Sequence, residues 1–384
     1  MENCTRTENI SDAPIQKLLS EVKIPNDSVN FGQGLPFFGP PESSAYEASD
    51  ALKRREGYSY SPDAGFSILR EEISKKLEKQ NRIKTKSKNV VVTSGGNQAF
   101  INTILAITNP GEEIIVLSPF YFNHVMAIKL ASCNPMFVKT KKNFQPDLEE
   151  IFEKYSKKTA AIITVSPNNP TGAVYSKQKL RKINDFCRKN NIYHISDEAY
   201  EHFTYDGKKH YSPACFDKDL EYTISLFSFS KSYGMAGYRI GYMVVPSNIK
   251  KEVLKVQDTV TICPNGPSQF AAYDALRIHP FYTKKNIPMI KENRVIFLKE
   301  LEETALPVKL RKTFGAFYFM VEIDTDKKSW WLSKKLIEKH GVITIPGTVF
   351  GCRKTCLRLS YGNIKNKKAE EGIKRLKKGL KNLL

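Results

Sequence analysis

The sequence predicts an α/β protein with a mainly parallel central sheet, helices on both of its faces, and a smaller α+β domain. Three observations carry this. Five short apolar runs, "NVVVTSGG", "EEIIVLSP", "TAAIITVSP", "IYHISDEAY" and "TISLFSFSK", each end in polar, Gly or Pro residues. Helical patterns such as "NQAFINTILAIT" separate them. The length, 384 residues, exceeds the roughly 250–300 at which one core stops growing. A run that is apolar throughout suits a strand covered on both faces, and strands joined by helices pair in parallel.

The elements follow in order. Residues 1–45 are expected to form an N-terminal arm and part of the smaller domain. Residues 46–280 hold the five runs and form the large domain. Residues 281–384 form the small one. There a helical stretch around Ile287–Leu301 leads to the strand "GAFYFMVEI", the helix "WWLSKKLIEKH" and the strands "VITIPG" and "CLRLSY". A terminal helix follows. Ile373, Leu376, Leu380 and Leu383 recur at i, i+3, i+7 and i+10, which is one helical face.

Composition narrows the class. Hydrophobic residues at 41% and charged residues at 26% match ordinary globular usage and argue against global disorder. The net charge of +20 points to nucleic acid or an anionic surface. Yet no stretch interleaves aromatics with Arg, and no nucleic-acid module is present. The lysine runs carry helical apolar spacing, so a solvated face accounts for them. Seven cysteines at irregular spacing read as reduced thiols of a cytoplasmic protein. Cys352 and Cys356 have no second Cys or His pair nearby, so no metal site is expected. "MENCTRTENISDAP" lacks the apolar core of a signal peptide, and no stretch reaches the ~18 apolar residues of a membrane span.

Each strand-like run ends in usable chemistry: Ser94-Gly95-Gly96-Asn97, Ser118-Pro119, Asn168-Asn169, Asp197, and Ser228 with Lys231. In a parallel sheet these ends converge on one edge. Gly95, Gly96 and Asn97 open a helix, where free N–H groups and the helix dipole favour an anion. Lys231 sits in a small-residue turn within "SFSKSYGMAGYRIGY", eight residues before Arg239.

The motifs "YSYSPDAGFSILREEI", "SGGNQA", "SPNNPTG", "SDEAYE", "SFSKSYGMAGYRIGY" and "CLRLSYG" occur in that order. Together they resemble the class I/II aminotransferases of the pyridoxal-phosphate-dependent (PLP) fold type I. The subgroup is the one holding bacterial and archaeal aspartate, aromatic and kynurenine aminotransferases. The resemblance runs from "FGQGLPFFGPPE" to the terminal helix.

The resemblance implies a role for each residue. Lys231 would carry pyridoxal 5′-phosphate and, once freed, move a proton; a buried amine loses its charge more readily and becomes nucleophilic. Asp197 would face the pyridine nitrogen; read alone, it also fits a helix N-cap. Tyr200 and Asn169 would meet the cofactor O3′, although Asn169 alone also fits a turn before Pro170. Gly95, Gly96, Asn97, Ser228 and Arg239 would hold the phosphate, joined by Tyr60 from a neighbouring subunit, which implies a homodimer. Tyr121 would stack on the ring; alone, it also reads as core. Arg358 would grip the substrate α-carboxylate as a bidentate fork, with Gly34 offering backbone contact.

The implied reaction moves the amine of an L-amino acid (aspartate, aromatic or other) to a 2-oxo acid such as 2-oxoglutarate in a ping-pong cycle. A C–S lyase, decarboxylase or synthase on the same fold is the alternative. Two positions depart from many relatives: Phe37 and Phe38 follow "GLP", and Ser166 stands where Asn is common. The phenylalanines tilt the side-chain pocket toward apolar substrates or serve packing.

Overall fold

The computed structural model describes residues 4–384. Its central sheet has seven strands: β1 Val90–Thr93, β2 Glu113–Ser118, β3 Asn134–Lys139, β4 Thr159–Val165, β5 Tyr193–Asp197, β6 Thr223–Ser228 and β7 Gly241–Val244. Their order is β1-β7-β6-β5-β4-β2-β3. Strands β2 to β6 pair in parallel, and β7 runs antiparallel to both β1 and β6. β1 therefore points the same way as β6. Every strand but β7 opens its carboxyl end on one edge.

The five apolar runs are β1, β2, β4, β5 and β6. Burial on both faces explains their composition: β1 and β4 to β6 hold almost no exposed residue. β3 and β7 lie outside those runs. β3 is an edge strand in which only Val138 is buried, so it never reads as an apolar run. β7 is fully buried but spans only four residues, the first two of which close the lysine motif.

The second sheet is antiparallel throughout. It comprises β8 Val308–Leu310, β9 Tyr318–Ile323, β10 Ile345–Pro346 and β11 Cys356–Ser360, in the order β10-β11-β9-β8. "VITIPG" divides between two sheets. Val342–Ile343 pairs in parallel with Val29–Asn30, while β10 joins β11. The segment around Phe31 runs along this region. Phe31 N–H donates to Ile343 (2.9 Å), Ser360 N–H to Phe31 (2.7 Å) and Phe37 N–H to Gly362 (2.7 Å).

The long helix spans Phe281–Glu302, starting earlier than the sequence pattern suggests, with Pro288 inside it. The terminal helix spans Asn366–Leu383. Its predicted face is inward: Ile373, Leu376 and Leu380 are buried and pack in one cluster with Phe31, Phe297, Leu332 and Leu336. No helix among the described residues is long and apolar enough to cross a membrane.

Burying a leucine side chain contributes about 1.5–3 kcal/mol, and truncation adds a cavity cost. Leu376→Ala should therefore lower unfolding free energy by about 2–5 kcal/mol in urea denaturation. Exposed Lys374→Ala, on the opposite face of the same helix, should stay within about 0.5 kcal/mol of wild type.

Candidate active site

The carboxyl edge of the central sheet faces β9 and β11 across a cavity of about 300 Å³. Strand ends deliver its polar lining. Asp197 ends β5, Ser228 ends β6, Asn169 follows β4, and Tyr121 follows β2. Gly96 and Asn97 come from the helix Gly96–Ile107 after β1, and Arg358 comes from β11. Lys231 reaches in from the short turn after β6.

The Lys231 amine donates to the Gly34 carbonyl at 2.6 Å and lies 5.9 Å from the Tyr200 ring centre. Burial, then the charges of Arg358 and Arg239, pull its pKa down from 10.5 to about 8; Asp197 opposes them. Arg358 is 2% exposed. Its Nη1 donates to Asn169 Oδ1 at 3.0 Å and its Nη2 to the Gly32 carbonyl. The guanidinium carbon lies 4.6 Å from the Tyr318 ring centre and 4.9 Å from that of Phe350. Its Nε–H, though buried, has no partner.

Asp197 is held at both oxygens. Oδ1 accepts from Ala199 N–H at 3.0 Å, and Oδ2 lies 3.0 Å from His124 Nε2. The Tyr200 and Tyr318 hydroxyls share a 2.6 Å hydrogen bond. Burial, and then Tyr318, push the Tyr200 hydroxyl well above its usual range. Burial and Asp197 raise Tyr121 to about 12, and its hydroxyl accepts from Asn123 at 2.8 Å.

A second region is built from β1. Gly95, at φ +86°, caps the helix Gly96–Ile107. A Cβ on it would sit 2.6 Å from Arg239 Nη2, so only glycine lets the guanidinium lie over this turn. Arg239 itself donates to Ala236 O at 2.9 Å and Ser94 O at 3.4 Å. Ser228 Oγ caps the lysine turn by accepting from Ser230 N–H at 3.2 Å. The region can hold a small anion with backbone N–H groups, a hydroxyl and a guanidinium.

Eleven of the residues singled out from the sequence line this cavity: Gly34, Gly96, Asn97, Tyr121, Asn169, Asp197, Tyr200, Ser228, Lys231, Arg239 and Arg358. Gly95 lies against Arg239 just behind. Tyr60 is 81% exposed and does not line the cavity. Phe37 and Phe38 do not line it either; they meet each other edge to face, as Phe38 does Tyr282. Ser166 is buried and accepts from Tyr175 N–H at 2.9 Å, a packing role.

Sequence reasoning missed Tyr318, His124, Ile15 and Leu35. Tyr318 sits in a strand where a core tyrosine looks the same. A Cβ at Gly34 would come within 2.2 Å of its hydroxyl, so the Gly34 turn and Tyr318 fit only together. His124 had a weak signal, lying three residues past Tyr121. Its partner, Asp197, is distant in sequence.

The family model for aminotransferase class I and II matches residues 26–376. An aspartate aminotransferase of Pyrococcus abyssi is 35% identical, covering 98% of this chain and 97% of its own. An aromatic-amino-acid aminotransferase of Thermococcus litoralis is 33% identical, covering 98% and 97%. The solved structure of Thermus thermophilus aspartate aminotransferase with maleate superposes with a TM-score of 0.90 at 28% identity, over 99% of this chain and 100% of that one. With its parallel sheet edge, its lysine turn and its buried arginine, this chain belongs to the class I and II aminotransferases and has their fold type I architecture.

Proposed function

We propose that this aminotransferase works with pyridoxal 5′-phosphate, in the cytoplasm, as a homodimer. An L-amino acid in the aspartate-to-aromatic range would donate its amine. A 2-oxo acid such as 2-oxoglutarate would take it back in a second half-reaction. The observation that carries the reading is Lys231: a primary amine, lowered to about 8, among two arginines in a cavity. Such an amine keeps a neutral, nucleophilic fraction near neutrality.

The remaining donors fit the cofactor. The Gly95–Gly96–Asn97 turn, Ser228 and Arg239 would hold its phosphate. Asp197, fixed by Ala199 and His124, would keep the ring nitrogen protonated. Tyr121 would cover a ring face, and Tyr200 with Asn169 would meet O3′. When bound, the cofactor supplies a sink for the electron pair left on the substrate Cα.

The chain's own residues do the rest. The freed Lys231 amine takes the Cα proton and holds it for return. Arg358 binds the α-carboxylate; its unpartnered Nε–H is a buried donor that an anionic acceptor would satisfy. The Tyr318 and Phe350 rings keep the guanidinium planar to its guest and dry. The curated relatives bear aspartate and aromatic names. The division into residues 1–45, 46–280 and 281–384 is likewise proposed, supported by the two sheets and by the Phe31 segment beside the second.

The test is absorbance. Protein loaded with pyridoxal phosphate should show a visible band that an amino donor, added without oxo acid, shifts to the ultraviolet. No shift with any common amino acid would sink the reading. Lys231→Ala should show no visible band. Because the neutral amine is the reactive form, the rate of loading should rise with pH and level off above about 8; an ordinary lysine would climb towards 10.5. Arg358→Lys keeps the charge and loses the fork, so KM for the donor should rise at least tenfold with a smaller change in kcat. Sedimentation of the loaded enzyme as a monomer would remove Tyr60 from the site.

A further inference from the structure

A second cleft, of about 690 Å³, lies between the ends of β2 and β3 and the strands β8, β9 and β11. Eight basic side chains line it against two carboxylates, Glu150 and Glu322. Several of the cations are spent: Lys354 and Arg311 pair with Glu322, Lys309 with Asp324, and Lys141 with Asp147. Among the described residues, Lys139, Lys142, Lys154 and Arg353 have no ion-pair partner. The wall also carries two thiols, Cys352 and Cys356.

The thiols are neighbours. A Cβ built on Gly347 would lie 2.6 Å from Cys356 Cβ and 3.2 Å from Cys352 Cβ, so the two cysteine Cβ atoms lie within about 6 Å of each other, and a disulfide needs them at about 3.8 Å. With the two thiols side by side, the Cys356 thiol is lowered and the Cys352 thiol raised. Burial and Glu322 oppose this on Cys356, while Arg311 and Lys354 act with it. Two neighbouring thiols on the wall of a cleft lined by eight basic side chains are the setting of a reactive dithiol.

The turn just before Cys352 touches the active site. Cys352 N–H donates to Gly347 O, closing the turn Gly347–Phe350. Phe350 lies under the Arg358 guanidinium, and its carbonyl accepts from Phe120 N–H, next to Tyr121. Cys356 starts β11, two residues before Arg358.

We propose that this basic cleft takes an anionic low-molecular-weight disulfide, which oxidises Cys352 and Cys356 to an internal disulfide and so clamps the loop that seats Arg358. In the first step the Cys356 thiolate attacks one sulfur of the bound disulfide. That S–S bond breaks, a mixed disulfide forms, and one thiolate leaves with the proton Cys356 gave up. In the second step Cys352, after losing its proton, attacks the Cys356 sulfur and expels the second thiolate. Two protein thiols are oxidised and one small disulfide is reduced to two thiols. The link to Arg358 rests on its role as carboxylate ligand; the thiol chemistry does not.

The test uses the full chain, reduced and freed of reductant. It is incubated with oxidised glutathione, which is anionic, or with hydroxyethyl disulfide, which is neutral. Free thiols are alkylated and peptides read by mass spectrometry. Oxidised glutathione should produce the Cys352–Cys356 bridge about tenfold faster than the neutral disulfide, an advantage that high salt removes and Lys142→Glu with Arg353→Glu reduces. Cys352→Ser should stop at a mixed disulfide on Cys356. Oxidation should raise KM for the amino donor severalfold, reversibly with dithiothreitol, and leave Cys352→Ser unchanged. Full alkylation of both cysteines after excess oxidised glutathione overturns the site. Equal rates with the two disulfides overturn the role of the cleft. Equal KM in oxidised and reduced protein overturns the clamp.

Discussion

Three cations meet in one cavity, and the rest of the site answers to that. Lys231, Arg239 and Arg358 all line it, while Asp197 is its one carboxylate among the lining residues. Arg358 is buried and Arg239 is exposed, and like charges facing one cavity are costly unless one of them gives way. Arginine cannot release its proton, so the strain falls on the lysine. Its amine drops to about 8 because burial and both guanidinium groups act on the group that can respond. The same imbalance makes the cavity a receptor for anions. A phosphate beside Arg239 and a carboxylate beside Arg358 would each neutralise one cation. Loading the site and activating its lysine are therefore linked through charge.

Holding cations this close requires rigid delivery. The parallel register of β4, β5 and β6 sets Asn169, Asp197 and Ser228 on adjacent strand ends. A buried network stands behind the Asp197–Tyr200 turn. Glu198 is fully buried and accepts from His210 at 2.8 Å and from Ser212; Glu201 pairs with Lys76 and Asn81. Each of these carboxylates has partners, so the turn is anchored by side chains that do not line the cavity.

Much of this was legible in the sequence, for a physical reason. Strands covered on both faces are apolar throughout, and their sites lie immediately after them. β1, β2, β4, β5 and β6, with Asp197, Asn169, Ser228 and Lys231, could be read from local pattern alone. What escaped depends on contact across the fold. β3 is an edge strand and therefore carries no apolar signal. His124 matters only because Asp197 comes to it. Tyr318 matters because Gly34 leaves room for its hydroxyl, which then bonds Tyr200. Phe37 and Phe38 stand open between pocket and packing in the sequence; their ring contacts with each other and with Tyr282 favour packing.

The cavity also explains why the segment around Phe31 runs with the second sheet rather than the first. Arg358 is on β11, so its carbonyl acceptor at Gly32 must be carried alongside β11. The ladder from Phe31 to Ile343 and Ser360 does this. Its other acceptor, Asn169, belongs to the central sheet. One guanidinium thus bridges both sheets through its two Nη groups and leaves Nε free. A ligand anion at Nε would complete the set of acceptors without replacing either bridge. Binding can then tighten the junction between the sheets, because the cation at its centre becomes fully paired only when the ligand is present.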